Sequence, residues 1–103
     1  MSNEIRKIAD HFGLPSQLNK KVEESLEAAE ATAQFHCALM FEDDPEELAR
    51  KREAMIEEMA DESIMTEQIL YFLGAEGEFE RMRQKKIERT LQRMKDGYYA
   101  KTL

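Results

Sequence analysis

The chain has 103 residues, 42% apolar and 36% charged, with a formal net charge of −7. This length supports one small domain, spanning residues 1–103, whose core lies near the lower limit for independent stability. No apolar run approaches the roughly eighteen residues of a membrane span, and the single Cys37 rules out an internal disulfide or a cysteine-rich metal site.

The opening MSNEIRKIAD lacks the apolar core of a signal peptide, so a soluble cytoplasmic protein is expected. A short first helix is predicted from about Asn3 to Phe12, stopped by Gly13. Pro15 fits the first turn of a second helix reaching about Phe41. In the EDDP stretch, Asp43 or Asp44 can cap a third helix, Pro45 suits its first turn, and Glu46 and Glu47 favour its positive end. That helix should run to Leu73, where Gly74-Ala75-Glu76-Gly77 breaks it. A fourth is predicted from about Glu78 to Asp96, with Gly97 as its C-terminal cap and the tail YYAKTL either frayed or docked on a partner. No segment alternates with the period of a strand, so the fold class is all-α, a four-helix bundle-like arrangement.

Charge is distributed unevenly. Residues 1–80 hold 7 Lys/Arg and 20 Asp/Glu, whereas residues 81–103 hold 8 and 2. An acidic body with a basic end suits either a solvated surface or a cation at one place and phosphates at another. The end of the third helix (Ile64, Met65, Ile69, Leu70, Tyr71, Phe72, Leu73) is apolar almost all round, where a lone surface helix keeps one polar face. A second subunit is expected to cover it, giving a homodimer or homotetramer. Cys37 is expected to be a small buried residue, and the methionines core filler.

Residues three or four apart share one helix face, so Glu24 and Glu27 project together, as do Glu58 and Asp61. Antiparallel packing of the second and third helices lets the two pairs face each other, an oxygen-rich cage suited to Mg²⁺ or Mn²⁺. Spacing alone says little, because the chain's five Asp/Glu pairs three residues apart match the chance rate of roughly four or five for its composition. The neighbours Ser25, Ala28, Ala29, Ala31 and Ala33, with Ala60 and Ser63 opposite, are small and suggest a packed seam. Like charges about 4 Å apart repel by about 4 kcal/mol at an effective dielectric of 20. Facing pairs in a seam therefore need a cation or protonation, whereas exposed pairs need neither.

The same residues carry a resemblance. Glu23-Glu24-Ser25-Leu26-Glu27 followed by Glu58-Met59-Ala60-Asp61 is similar to the EExxE…ExxD signature of the MazG-like, all-α nucleoside triphosphate pyrophosphohydrolases, in particular their short single-domain phage and Firmicutes forms. FGLPSQLNKKVEESLEAAEA resembles that family's FG-x-x-x-Q opening and acidic helix. EEMADESIMTEQIL resembles its E-x-AD-x-x-IM-x-EQ stretch, and KKIERTLQRM its K-x-x-R-x-x-x-R close, over about residues 12–95. The resemblance implies an oligomeric, metal-dependent enzyme converting a (d)NTP and water to a (d)NMP and pyrophosphate. Glu24, Glu27, Glu58 and Asp61 would hold Mg²⁺, with Glu24 central to catalysis and Glu23 a further ligand or water-orienting base. Gln17, Lys86, Arg89 and Arg93 would contact the nucleotide. Three features depart from the pattern: thirty residues separate Glu27 from Glu58, Glu62 replaces a common aliphatic, and no Trp is present.

Other motifs are weaker. His36 and Cys37 are adjacent, point about 100° apart on a helix and chelate poorly. His11 reads as a helix-end residue. The basic run 81–95 lacks interleaved aromatics and follows an acidic body, so nucleic-acid binding is not expected. A non-catalytic helical interaction protein that keeps the fold is the alternative reading.

Overall fold

A computed structural model describes residues 2–97, all of whose regular structure is helical. The four helices are α1 (Asn3–Phe12), α2 (Leu14–Phe41), α3 (Pro45–Leu73) and α4 (Glu76–Lys95). They fall into two compact units, one ending at Leu73 and one beginning at Gly74. The tail from Tyr98 onward lies outside the described residues. No helix among those described is long and apolar enough to cross a membrane.

Local chemistry sets the helix ends. The Ser2 hydroxyl accepts a hydrogen bond from the Ile5 N–H at 3.2 Å, capping α1. Gly13 alone joins α1 to α2, at φ 86° and ψ 158°, a combination essentially confined to glycine. Its N–H closes α1 on the Ala9 carbonyl at 2.8 Å, and its own carbonyl accepts from Gln17 N–H at 3.1 Å, starting α2. Of the two aspartates able to cap α3, Asp44 does so: its Oδ1 accepts from Glu46 N–H at 3.0 Å, and Pro45 opens the helix. The wide spacing between the acidic motifs is thus taken up by helix length, since only residues 42–44 separate α2 from α3. One boundary differs from expectation. α4 begins at Glu76, not Glu78, because Gly74 (φ 60°) makes the break by itself and Gly77 is absorbed into the first turn, where Glu76 and Glu78 favour the positive end.

In the first unit α2 and α3 form a long antiparallel hairpin. Cross-helix partners step down α3 as they step up α2: Gln17 with Gln68, Lys21 with Glu62, Gln34 with Lys51. At the closed end near Gly13, α1 lies on both helices, buries Ala9 completely, and is tied to α3 where the Tyr71 hydroxyl donates to the Asp10 carboxylate, its oxygen 2.9 and 3.0 Å from the two carboxylate oxygens. The Arg6 guanidinium sits 5.6 Å above the Tyr71 ring, a cation–π contact.

The core is small and unusually polar. Ala9, Ala28 and Met65 are its buried apolar residues, and Gln17, Glu24 and Gln68 are buried beside them. Two expectations fail here. Cys37 is exposed, and of the methionines described only Met65 is buried, while Met40, Met59, Met82 and Met94 stand in solvent. The reason is geometric: within the first unit two helices bury one stripe each, and α1 covers the end of the hairpin opposite Cys37. The small residues divide likewise. Ala28 is buried in the seam, whereas Ala29 and Ala33 line an open groove of about 800 Å³ with Met55, Met59 and His36. At the end of α3, Met65 is buried and residues 69–72 are half-buried, while Ile64 and Leu73 remain exposed.

In the second unit none of α4 is buried. Phe79, Met82, Ile87 and Leu91 make an apolar strip along one side, interrupted by Lys86 and Arg83.

Candidate metal centre

Glu24 and Glu27 stand one helical turn apart on α2, and Glu58 faces them from α3. One carboxylate oxygen from each lies within 4.8 Å of the others. The antiparallel hairpin brings this about, because it sets the α2 segment 24–27 beside the middle of α3. Burial rises toward the seam: Glu27 is exposed, Glu58 half-buried, and Glu24 only 7% exposed.

The electrostatics are those of crowded carboxylates. Glu24 Oε2 and Glu58 Oε2 are both buried without a hydrogen-bond partner. Burial, then the negative charges of Glu27, Asp61 and Glu24, and finally a hydrogen bond with Glu27, push the Glu58 carboxyl above its ordinary value. One cation responds from the protein itself. Lys20 Nζ lies 3.2 Å from Glu24 Oε1 and 3.5 Å from Glu23 Oε2, contacts that hold its ammonium above its usual range. It neutralises one oxygen of Glu24 and leaves the other without a partner. Buried carboxylate oxygens in folded proteins nearly always have a partner, be it a protein donor, a water or an ion. Three clustered carboxylates, two with an oxygen lacking one, suit a hard divalent cation with oxygen ligands.

The remaining residues singled out from the sequence divide into groups. Asp61 is exposed and outside the three-oxygen cluster, one turn further along α3, but its charge acts on Glu58. Glu23 is exposed on the rim beside Lys20. Gln17 is buried and donates to Gln68 Oε1 at 2.7 Å, two turns along α2 from the carboxylates. Glu62 faces Lys21, its oxygen 3.9 Å from Nζ, in an ion pair across the seam. Lys86, Arg89 and Arg93 lie on α4 in the second unit, Lys86 and Arg89 exposed and Arg93 half-buried. His36 is exposed, and His11 is packed edge-on against the Phe12 ring at 4.7 Å.

Sequence reasoning missed two members of this neighbourhood. Lys20 sits one turn before Glu24, an i,i+4 pairing visible in the text of the chain. Gln68 carried a fainter signal, an amide inside the apolar run IMTEQIL, where a core position would ordinarily be aliphatic. Compared with protein families, with characterised proteins and with solved structures, the chain finds no match.

Proposed function

We propose that the protein is a metal-dependent nucleoside triphosphate pyrophosphohydrolase, taking a (d)NTP and water to a (d)NMP and pyrophosphate. The observation that carries this reading is the convergence of Glu24, Glu27 and Glu58 from two antiparallel helices, with two buried oxygens left without partners. Mg²⁺ or Mn²⁺, when bound, supplies charge neutralisation for the triphosphate. Glu24, Glu27 and Glu58 would hold the ion, and the MazG-like resemblance adds Asp61, one turn along α3, as a fourth carboxylate. Glu23, on the rim and outside the cluster, is the further ligand or water-orienting base that the resemblance implies. Lys20 restrains Glu23 and Glu24 together. The assignment of Lys86, Arg89 and Arg93 to the phosphates rests on the MazG-like resemblance alone.

Self-association belongs to the same proposal. Val22 and Leu26, one turn apart on α2, are each more than half exposed, apolar surface that a second copy would cover. That surface also favours the competing reading, a helical interaction protein without catalysis.

Pyrophosphate release from a panel of ribo-, deoxy- and modified nucleotides tests the enzyme directly. Turnover should require Mg²⁺ or Mn²⁺ and disappear in Glu24→Gln and Glu58→Gln proteins that keep their helical circular dichroism. Inertness of the whole panel with either metal, and no rise in melting temperature with metal plus nucleotide, would leave the interaction protein standing.

A further inference from the structure

Lys20 holds one oxygen of the most deeply buried carboxylate in the cluster. Its Nζ lies 3.2 Å from Glu24 Oε1 and 3.5 Å from Glu23 Oε2, so the ammonium is anchored from two positions on its own helix. The Lys20 side chain is 51% exposed while Glu24 is buried, which puts their contact at the edge of the seam.

The two oxygens of Glu24 are thereby set to different uses. Oε2 is buried without a hydrogen-bond partner, as is Glu58 Oε2. Glu24, Glu27 and Glu58 each bring one oxygen within 4.8 Å of the others. An ammonium carries three donors and no acceptor, so it cannot share a cation with the oxygen it bonds, and its charge repels one that approaches. Glu24 therefore offers a cation Oε2 alone for as long as Lys20 stays in place.

That restriction bears on which ion the cluster prefers. Mg²⁺ demands near-octahedral geometry at about 2.0–2.1 Å and keeps several of its waters, so it has no need of a second oxygen from one carboxylate. Ca²⁺ takes roughly six to eight oxygens at about 2.3–2.6 Å and accepts carboxylates through both of theirs. A buried carboxylate with one oxygen already engaged suits the smaller ion and handicaps the larger.

We propose that Lys20 is a specificity-determining residue: by engaging Glu24 Oε1 it limits that carboxylate to ligation through one oxygen, and so favours Mg²⁺ over Ca²⁺. The proposal rests on the metal-binding half of the reading above and is independent of the nucleotide. Lys20 acts through Glu24 as a positioning residue. Its charge alone does not discriminate, because both ions are divalent and loss of the ammonium strengthens their attraction to the cluster alike. Only the number of oxygens on offer separates them.

The test is competition against Mn²⁺ bound to the full chain without nucleotide, followed by the paramagnetic resonance signal of free Mn²⁺. Titration with Mg²⁺ and with Ca²⁺ gives two dissociation constants and their ratio. Partners that hydrogen-bond the ligands of a metal commonly carry roughly 10–100-fold in affinity, and the half-exposure of Lys20 places its share at or below the low end. Lys20→Met, which removes the donor, should shift the ratio toward Ca²⁺ by about fivefold or more. Lys20→Arg, which keeps a donor for Oε1, should retain the wild-type ratio. Helical circular dichroism and melts in chelator establish that both variants are folded. If Lys20→Met moves both affinities together, up or down, charge or simple bracing accounts for Lys20 and the proposal is overturned while the metal centre stands. A Lys20→Arg protein that behaves like Lys20→Met overturns it equally. If the wild type takes up no Mn²⁺, the metal centre itself falls, and the selectivity with it.

Discussion

Glu24→Gln should reverse the order of stability of two proteins when Mg²⁺ is added. Without metal, Glu24 is a buried carboxylate whose neighbours Glu27 and Glu58 place oxygens within 4.8 Å. Two unit charges at that separation repel by about 3.5 kcal/mol at an effective dielectric of 20. Exposure of Glu27 to water reduces this severalfold, and the lost contact with Lys20, a largely exposed partner, offsets a small part of it. The balance leaves the metal-free variant about 1 kcal/mol more stable than the wild type, a rise in melting temperature of about 4–8 °C for a domain of this size. With Mg²⁺ at about a hundred times its dissociation constant the wild type gains about 2.7 kcal/mol, and the variant, lacking the buried ligand, gains far less. Thermal melts of both proteins, in chelator and across a Mg²⁺ series, should therefore cross. A metal-free variant less stable than the wild type would make Glu24 a structural residue held by Lys20. Parallel responses to Mg²⁺ would remove the carboxylate cluster from metal binding altogether.

Further outcomes follow from the same structure. Glu58 titrates above its ordinary 4.5 in the folded chain, so within the window from 4.5 up to its raised value the native state binds more protons than the unfolded one. Stability of the metal-free protein should fall as pH rises through that window, and Glu58→Gln should flatten the slope in melts recorded against pH. Gly13→Ala should cost about 1–3 kcal/mol in urea titrations through backbone conformation alone, since a Cβ there meets nothing within 4 Å. Asp44→Ala should cost about 0.5–2 kcal/mol by uncapping α3, measured the same way.

Much of the fold was legible because its punctuation is local. Gly13, the EDDP restart and Gly74 each act through backbone conformation or capping within a few residues, and three helices end where those signals place them. α4 began two residues early because a second glycine nearby looked like part of the break. The carboxylate cluster was legible to the extent that helical spacing fixes a face: Glu24, Glu27 and Glu58 meet as the antiparallel pairing requires. Asp61 shows the limit, since its distance from the other three depends on side-chain direction and the local crossing of two helices. Burial was the least legible property. Whether Cys37 or Met59 is covered depends on how far α1 extends over the hairpin, which no window of neighbouring residues contains.

The amide bond between Gln17 and Gln68 has a consequence for how the chain finds its own alignment. With only Ala28 and Met65 as buried apolar residues on α2 and α3, apolar packing does little to distinguish settings one turn apart when one helix slides past the other. Sliding would strand both amides away from water with nothing to bond, and would carry Lys21 and Lys51 off Glu62 and Gln34. The polar ties thus work like the marks of a vernier, selecting one setting among several that so small an apolar seam alone would accept.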